Sequence, residues 1–191
     1  SDSNVGKLLN KLDELNLKDN TLIIITADHG IEYYDHGIVT GESMYQAMIH
    51  VPLIIYYPKE LKPQRIRTPV STIDILPTLL DTIGFKVPEG IDGVSLLPLM
   101  KGKGPYGREF VASETYGRSG IEEALQQIAI IKGDWKLIEI RESEILSSGL
   151  YNLRTDPKEQ RNLYDIYIEK RRELQQYIPE VTSTMEIEGI S

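Results

Sequence analysis

The stretch Thr21-Leu22-Ile23-Ile24-Ile25-Thr26-Ala27-Asp28-His29-Gly30 decides the fold class of this chain. Its first six residues form an apolar, β-branched run that is typical of a strand covered on both faces. Asp28 and His29 follow at the carboxyl end of that strand, which is the edge where open α/β sheets place their chemistry. The stretch therefore predicts an α/β fold with a polar site just beyond Thr26.

Helix and strand patterns alternate around that stretch. Apolar residues at three- and four-residue steps predict an amphipathic helix over 4–15. The run 51–57 predicts a second buried strand that Pro58 ends, and 43–49 has a helical pattern between the two strands. Alternation of this type favours a parallel sheet.

The chain changes character near residue 107. A helix is expected from Ser71 or Thr72 to about Ile83, and the Gly- and Pro-rich segment 86–107 predicts a long connection with one helical turn at 95–100. We therefore expect two domains: 1–107 as part of the α/β core, and 108–191 as a smaller subdomain.

Three strand patterns and a final helix are expected in the smaller subdomain. The dipeptide Gly133-Asp134 is a hairpin signal between two of the strands, and 166–178 predicts an amphipathic C-terminal helix. A small antiparallel sheet is therefore expected from the strand patterns at 110–115, 127–132 and 135–140.

Composition excludes several kinds of partner. The 191 residues carry a formal charge of −8, whereas phosphate-binding surfaces need a basic footprint, so no nucleic-acid partner is expected. The longest apolar stretches, 22–25 and 51–57, are too short to span a membrane. The absence of cysteine excludes disulfide and thiolate chemistry but assigns no compartment.

Asp28 and His29 are candidate metal ligands. Neighbouring side chains on an extended strand point in opposite directions, but a turn relaxed by Gly30 would let both converge on one ion. The alternative is that Asp28 caps the next helix and His29 is exposed beside it.

The segment Asp28-His29-Gly30-Ile31-Glu32-Tyr33-Tyr34-Asp35-His36-Gly37 resembles the Asp-His-Gly-Glu-Glu-Phe-Gly-Glu-His-Gly stretch of sulfatases in the alkaline phosphatase superfamily. The resemblance covers about 5–163. It implies part of an alkaline phosphatase-like α/β/α sandwich with a mainly parallel sheet. The later sulfatase-like segments, in family order, include His50-Val51-Pro52-Leu53-Ile54-Ile55, Val70–Leu80, Gly93–Leu96, Trp135–Ile138, and Leu150–Leu153 with Asp156-Pro157-Lys158-Glu159.

The resemblance implies roles for three residues. Asp28 and His29 would be ligands of a divalent cation, usually calcium in this family, and His36 would contact the sulfate or the leaving oxygen. Imidazole by itself suits zinc better than calcium, so the resemblance decides the ion. For His36 the alternative is a loop histidine with a local hydrogen bond. Thr40 and Glu42 stand where sulfatases commonly have Lys or His, and a glutamate does not help an anion site.

The nucleophile of sulfatases is absent from this sequence. Sulfatases make formylglycine from a Cys/Ser-x-Pro-x-Arg motif and complete the metal site with two adjacent aspartates, and neither feature occurs here. The segment 61–65 has Pro and Arg at that spacing, but Leu61 occupies the reacting position. We therefore expect the C-terminal portion of a sulfuric ester hydrolase, inactive by itself, with its missing N-terminal half as a partner.

Two other functions remain open from the sequence. One is a phosphodiesterase or phosphonate hydrolase of the same superfamily, and the other is a non-catalytic binding module that kept the fold. The resemblance implies a sulfate ester small molecule or glycan as substrate.

A strand edge without a neighbouring strand would favour self-association. His50 is interpreted as structural, and Asp74 as a capping or hydrogen-bonding group.

Overall fold

The computed structural model describes residues 2–37, 43–115, 127–140 and 147–178. These residues divide into two compact units. One unit comprises the described residues up to Asp28 together with Val51–Arg67, and the other comprises the described residues of His29–His50 and those from Thr68 onward. The boundary near residue 107 stays a prediction.

The described residues of the first unit form one α-helix, a 3₁₀ turn at Lys18–Asn20 and two strands. Helix α1 is Asp2–Glu14, strand β1 is Ile23–Thr26, and strand β2 is Leu53–Tyr56. The predicted helix and both predicted strands are confirmed, although each strand is shorter than the apolar run that predicted it. None of the described helices has both the length and the apolar composition needed to cross a membrane.

The pairing of these two strands corrects the sequence-based expectation. β1 and β2 pair antiparallel, with Ile23 opposite Tyr56 and Thr26 opposite Leu53. The 26 residues between the strands are enough for either direction, and the α-helix described among them, α2 (Gln46–Ile49), is a single turn rather than a long crossover helix. The expected burial on both faces is also wrong for the described chain, because the side chain of Ile54 is 55% exposed.

Helices α3 and α4 lie in the second unit. α3 is Ile75–Thr82 and α4 is Leu97–Met100, so both predicted helices are present but begin two to four residues later than predicted. Ser71 and Asp74 form a reciprocal capping box at a short 3₁₀ turn before α3. Asp74 is fully buried and also accepts from the Val94 main-chain N–H at 2.9 Å, which confirms it as a capping and hydrogen-bonding group.

A four-stranded antiparallel sheet forms the rest of the second unit. Its strands pair in chain order, and helix α5 (Ile168–Gln175) follows them. The predicted small sheet and C-terminal helix are confirmed. Sequence reasoning missed the fourth strand because it is short and begins with glycine. The strands are β3 (Val111–Thr115), β4 (Gln127–Lys132), β5 (Trp135–Ile140) and β6 (Gly149–Asn152).

Both faces of this sheet are covered, as the period-2 alternation of its strands requires. Ile128 and Ile130 of β4 belong to one core cluster, which also contains Leu174 of α5. Ala129, which points to the opposite face, belongs to a second cluster that contains Met44. The segment that leads into α2 is therefore packed on the face of the sheet opposite α5.

Candidate functional site

Strand β1 leads directly to the first candidate ligand. β1 ends at Thr26, and Asp28 follows two residues later with an exposed side chain. Its position at the carboxyl end of the strand is the one that the sequence predicted. A carboxylate there supplies oxygen ligands of the type that calcium and magnesium prefer.

His29 is exposed, and one hydrogen bond sets its tautomer. Its Nδ1 lies 2.7 Å from the main-chain oxygen of Gly30. A carbonyl oxygen can only accept, so Nδ1 carries the proton and the lone pair of the neutral ring is on Nε2. Histidine ligands of metals commonly have this arrangement, in which the second ring nitrogen donates to a carbonyl.

Gly30 is required for a reason that the sequence did not reveal. Its backbone is outside the left-handed region, so relaxation of the turn does not explain the glycine. Its N–H donates to the Met48 main-chain oxygen at 2.7 Å, and a Cβ atom at this position would lie 1.9 Å from the Ala47 oxygen. Glycine therefore allows this backbone to approach α2 closely.

The loop after Gly30 is tied to the segment before α2. Glu32 is 4% exposed, and the Ser43 hydroxyl donates to its Oε1 atom in a short hydrogen bond. The same hydroxyl oxygen accepts from the Tyr45 main-chain N–H at 3.1 Å. Glu32 therefore anchors the loop through its buried side chain. Tyr33 and Tyr34 on the same loop are about three-quarters exposed (77% and 75%).

His36 is held by an aromatic stack. Its ring lies 3.7 Å from that of Tyr45, and the two planes differ by 6°. His36 has φ 58° and ψ 18°, a left-handed conformation that is uncommon for a residue with a side chain. The stack orients the imidazole, which is half-buried.

A buried ion pair lies against the main chain of Gln46, the residue after Tyr45. Lys136 Nζ is 2.6 Å from Glu159 Oε1, and both side chains are almost fully buried. The Gln46 main-chain N–H donates to Glu159 Oε2 at 2.6 Å. Burial lowers the pKa of Lys136 to about 8, against the attraction of Glu159, which raises it.

The described residues do not by themselves group into a metal site. Ranges 2–37, 43–115, 127–140 and 147–178 contain no group of three or more His, Cys, Asp and Glu side chains placed to hold an ion. A carboxylate from Asp28 and Nε2 of His29 are both donor types that divalent cations accept, so these residues fit such an ion as two of its ligands. Thr40 and Glu42 lie outside the described residues.

Sequence reasoning assigned no role to Tyr45, Lys136 or Glu159. Lys136 and Glu159 occur only within sulfatase-like segments, although Asp156-Pro157-Lys158-Glu159 carried a usable signal. Glu159 has φ 57°, a left-handed conformation that suggests a constrained turn at a glutamate.

His50 directly follows α2 and is exposed, and its main-chain N–H donates to the Gln46 main-chain oxygen at 3.0 Å.

Comparison with known families identifies the class of protein. Residues 34–185 match the family model described as N-sulphoglucosamine sulphohydrolase, C-terminal. Residues 1–64 match the type I phosphodiesterase / nucleotide pyrophosphatase family model. The chain is 34% identical over 185 residues to N-acetylglucosamine-6-O-sulfatase of Bacteroides thetaiotaomicron, and the alignment covers 94% of this chain and 33% of that protein.

Solved structures with a similar fold also match this chain. A protein solved in complex with its substrate D-glucosamine-2-N,6-O-disulfate is 32% identical, with a TM-score of 0.77 over 95% of this chain and 38% of the other. A phosphonate monoester hydrolase from Silicibacter pomeroyi is 26% identical, with a TM-score of 0.79 over 97% of this chain and 39% of the other. The predicted alkaline phosphatase-like fold class is thereby confirmed.

The chain belongs to the sulfatase family of the alkaline phosphatase superfamily, and it matches the C-terminal portion of that family. It spans about a third of the length of the first curated relative, 33%. Family membership also implies a divalent metal as cofactor.

Proposed function

We propose that the protein carrying this chain is a divalent-cation-dependent sulfuric ester hydrolase. The observation that carries the proposal is the Asp28-His29-Gly30 sequence at the end of β1, in a chain of the sulfatase family. Gly30 packs against α2, and the Gly30 carbonyl selects the His29 tautomer that has its proton on Nδ1. Both features suit a motif that binds a metal.

Three residues of this chain have roles in the proposal. The Asp28 carboxylate and the His29 Nε2 atom hold the cation, which when bound polarises the sulfate oxygens. His36 donates a hydrogen bond to the sulfate or to the leaving oxygen, and it keeps this orientation because Tyr45 stacks on its ring. The formylglycine nucleophile and the remaining ligands belong to a part of the protein outside these 191 residues.

The proposed substrate is a sulfate ester of a sugar. The relative with 34% identity is an N-acetylglucosamine-6-O-sulfatase, and the structure with 32% identity was solved with a disulfated glucosamine. Both support a sulfated small molecule or glycan over other esters.

The proposed ion is calcium, and zinc is the chemical alternative because of the imidazole ligand. The test is to remove the metal from the natural full-length protein with a chelator and then add back calcium or zinc. Recovery of sulfatase activity with calcium supports the assignment, and recovery with zinc alone overturns it. The 191-residue chain should bind calcium only weakly, in about the millimolar range, because two ligands fall short of the roughly six to eight oxygens that calcium prefers.

The main test compares two aspartate variants of the natural full-length protein. Asp28→Ala should lower turnover of an aryl sulfate by at least about a hundredfold, because the ion that orients the sulfate loses a ligand. Asp19→Ala, an exposed aspartate in the turn before β1, is the matched control and should leave turnover unchanged. Equal activity of the Asp28→Ala protein and its control would overturn the metal role.

A second candidate is hydrolysis of phosphodiesters or phosphonate monoesters. It is favoured by the match of residues 1–64 to the phosphodiesterase family and by the likeness to a phosphonate monoester hydrolase. Parallel assays with an aryl sulfate, an aryl phosphodiester and an aryl phosphonate monoester separate the candidates. A higher kcat/KM for either phosphorus substrate than for the sulfate would replace the proposal by this second function.

A further inference from the structure

The buried Lys136–Glu159 pair costs desolvation energy, so a gain in stability does not explain its presence. Both side chains are removed from water, with Nζ and Oε1 2.6 Å apart. Taking two charges out of water offsets most of their attraction, and apolar residues of similar volume often serve stability equally well. Stability alone therefore gives no reason for two charges at this position, and a geometric role is the alternative.

Glu159 is itself held rigidly. Asp156 accepts from the main-chain N–H groups of Gln160 at 3.1 Å and Arg161 at 2.8 Å, and the Glu159 N–H donates to the Asp156 oxygen at 3.1 Å. Lys136 then fixes the rotation of the Glu159 carboxylate by binding Oε1. The other oxygen, Oε2, is left facing the Gln46 N–H.

The hydrogen bond to Gln46 connects distant parts of the second unit. Gln46 and Glu159 are 113 residues apart in sequence. Gln46 is the first residue of α2, and Tyr45 directly precedes it. The carboxylate therefore sets where the main chain beside Tyr45 lies relative to strand β5, which carries Lys136.

Tyr45 passes this placement to His36. The Tyr45 ring contacts the Tyr151 ring edge-on, with centroids 6.1 Å apart, and stacks on His36 at 3.7 Å. His36 is in a left-handed conformation, which persists only when surrounding structure enforces it. The loop that contains His36 thus takes its geometry from the sheet beneath it.

We propose that Lys136 and Glu159 are positioning residues that hold the Tyr45–His36 stack in place through the main chain of Gln46. The inference rests on the proposed function, in which His36 contacts the substrate. It adds two residues, far from the reacting groups in sequence, on which the orientation of the imidazole depends. Neither Lys136 nor Glu159 touches the substrate in this scheme.

The test uses the natural full-length protein and removes both charges together. Lys136→Met alone strands a buried carboxylate and is expected to unfold much of the protein, so the informative variant is the double variant Lys136→Met/Glu159→Met. The control is Lys132→Met, which removes a more exposed ion pair between Lys132 of β4 and Glu109, two residues before β3. Each variant is first checked for native secondary structure by circular dichroism.

The first readout needs no activity. The Tyr45 ring shields the stacked His36 imidazole, so its carbon-bound proton resonances lie upfield in NMR spectra and are assigned by their loss in His36→Gln. In the double variant these resonances should move towards the positions of an unstacked histidine, whereas in Lys132→Met they should stay. An unchanged His36 resonance in the folded double variant overturns the proposal, whatever the protein hydrolyses.

The second readout is a double-mutant cycle on aryl sulfate hydrolysis. The double variant should lower kcat/KM by about tenfold to a hundredfold, because a misplaced catalytic contact costs that much. In a His36→Ala background the same substitutions should cost little more, since their effect acts through His36. A loss of equal size in both backgrounds overturns the proposal. If His36→Ala itself has no effect, the proposed role of His36 fails, and the NMR result still decides the positioning role.

Discussion

The two sheets of this chain are built from similar residues but differ in burial. β1 and β2 consist almost wholly of isoleucine, leucine, threonine and tyrosine, yet none of their residues is buried in the described structure. β4 has a comparable run, and its first four residues, Gln127–Ile130, are all buried. Strand composition therefore does not decide burial.

The difference lies in what surrounds each sheet. β4 lies between two neighbouring strands, and its two faces are covered by separate core clusters. β1 has one partner strand among the described residues. Apolar burial stabilises a strand only when neighbours remove its surface from water, so the four-stranded sheet should dominate the stability of this chain.

The largest expected effect is therefore in the four-stranded sheet. Leu137 of β5 is 0% exposed, and Leu137→Ala should lower the free energy of unfolding by about 2–5 kcal/mol through lost burial and a cavity. Ile54→Ala in β2 is the counterpart and should cost less than about 1 kcal/mol, because that side chain is 55% exposed. Urea denaturation of the 191-residue chain measures both.

A cost for Ile54→Ala as large as that for Leu137→Ala would break the comparison. It would mean that the exposed face of β2 is covered in solution. Light scattering on the same sample then asks whether a second copy covers it, since self-association stays a prediction from the sequence.

The next effect tests the close packing just after β1. Gly30→Ala should destabilise the chain by about 1–3 kcal/mol, because the new Cβ would lie 1.9 Å from the Ala47 oxygen and the backbone has to move. Gly6→Ala is the matched control in helix α1, where nothing lies within 4 Å of a Cβ. It should stabilise the chain by up to about 1 kcal/mol through helix propensity.

Opposite signs for these two glycine variants are expected in thermal or urea unfolding. A neutral Gly30→Ala would show that the loop before Glu32 is not held against α2 as described. It would also remove the structural reason for glycine in the Asp28-His29-Gly30 sequence.

The smallest effect concerns the buried charge in the four-stranded sheet. Burial lowers the pKa of Lys136 from its ordinary value of 10.5 to about 8. Between those values the unfolded chain holds a proton that the native state has released, so native stability rises with pH in that window. From about pH 8 to about pH 9.5 the gain should be on the order of 1 kcal/mol.

Urea unfolding measures this contribution. The unsubstituted chain and the Lys136→Met/Glu159→Met variant are compared at both pH values, and the difference isolates the effect of Lys136. Burial, the largest cause, also raises the pKa of Tyr151 and of Tyr164, and this cause is present in both proteins. A difference in stability that does not change with pH would contradict a lowered pKa for Lys136.

Much of the fold could be predicted because its signals are local. The helix over 4–15, the hairpin at Gly133-Asp134 and the capping of α3 each depend on residues within a few positions of one another. The direction of β2 relative to β1 could not be predicted, because it depends on the path of the 26 residues between Thr26 and Leu53. Strand β6 was missed because Gly149–Asn152 is too short to show a pattern.

The candidate site divides in the same way. The sequence singled out Asp28, His29 and His36 through their spacing and their resemblance to sulfatases, and these roles stay predictions. It could not reveal that the tautomer of His29 is set by a carbonyl, or that His36 lies on Tyr45. Those facts depend on which side chains and main-chain groups meet after folding.

The sequence by itself determined the family of this protein, most elements of its fold and the motif for which a metal role is predicted. Only the tertiary structure decided how Gly30 is used and which groups Lys136 and Glu159 meet, since the hydrogen bond from Gln46 to Glu159 joins residues 113 positions apart. The physical reason is the distance along the chain over which each effect acts. Propensity, capping and turn chemistry act within a few residues, whereas burial, desolvation and close backbone contact act between segments that only the folded chain brings together.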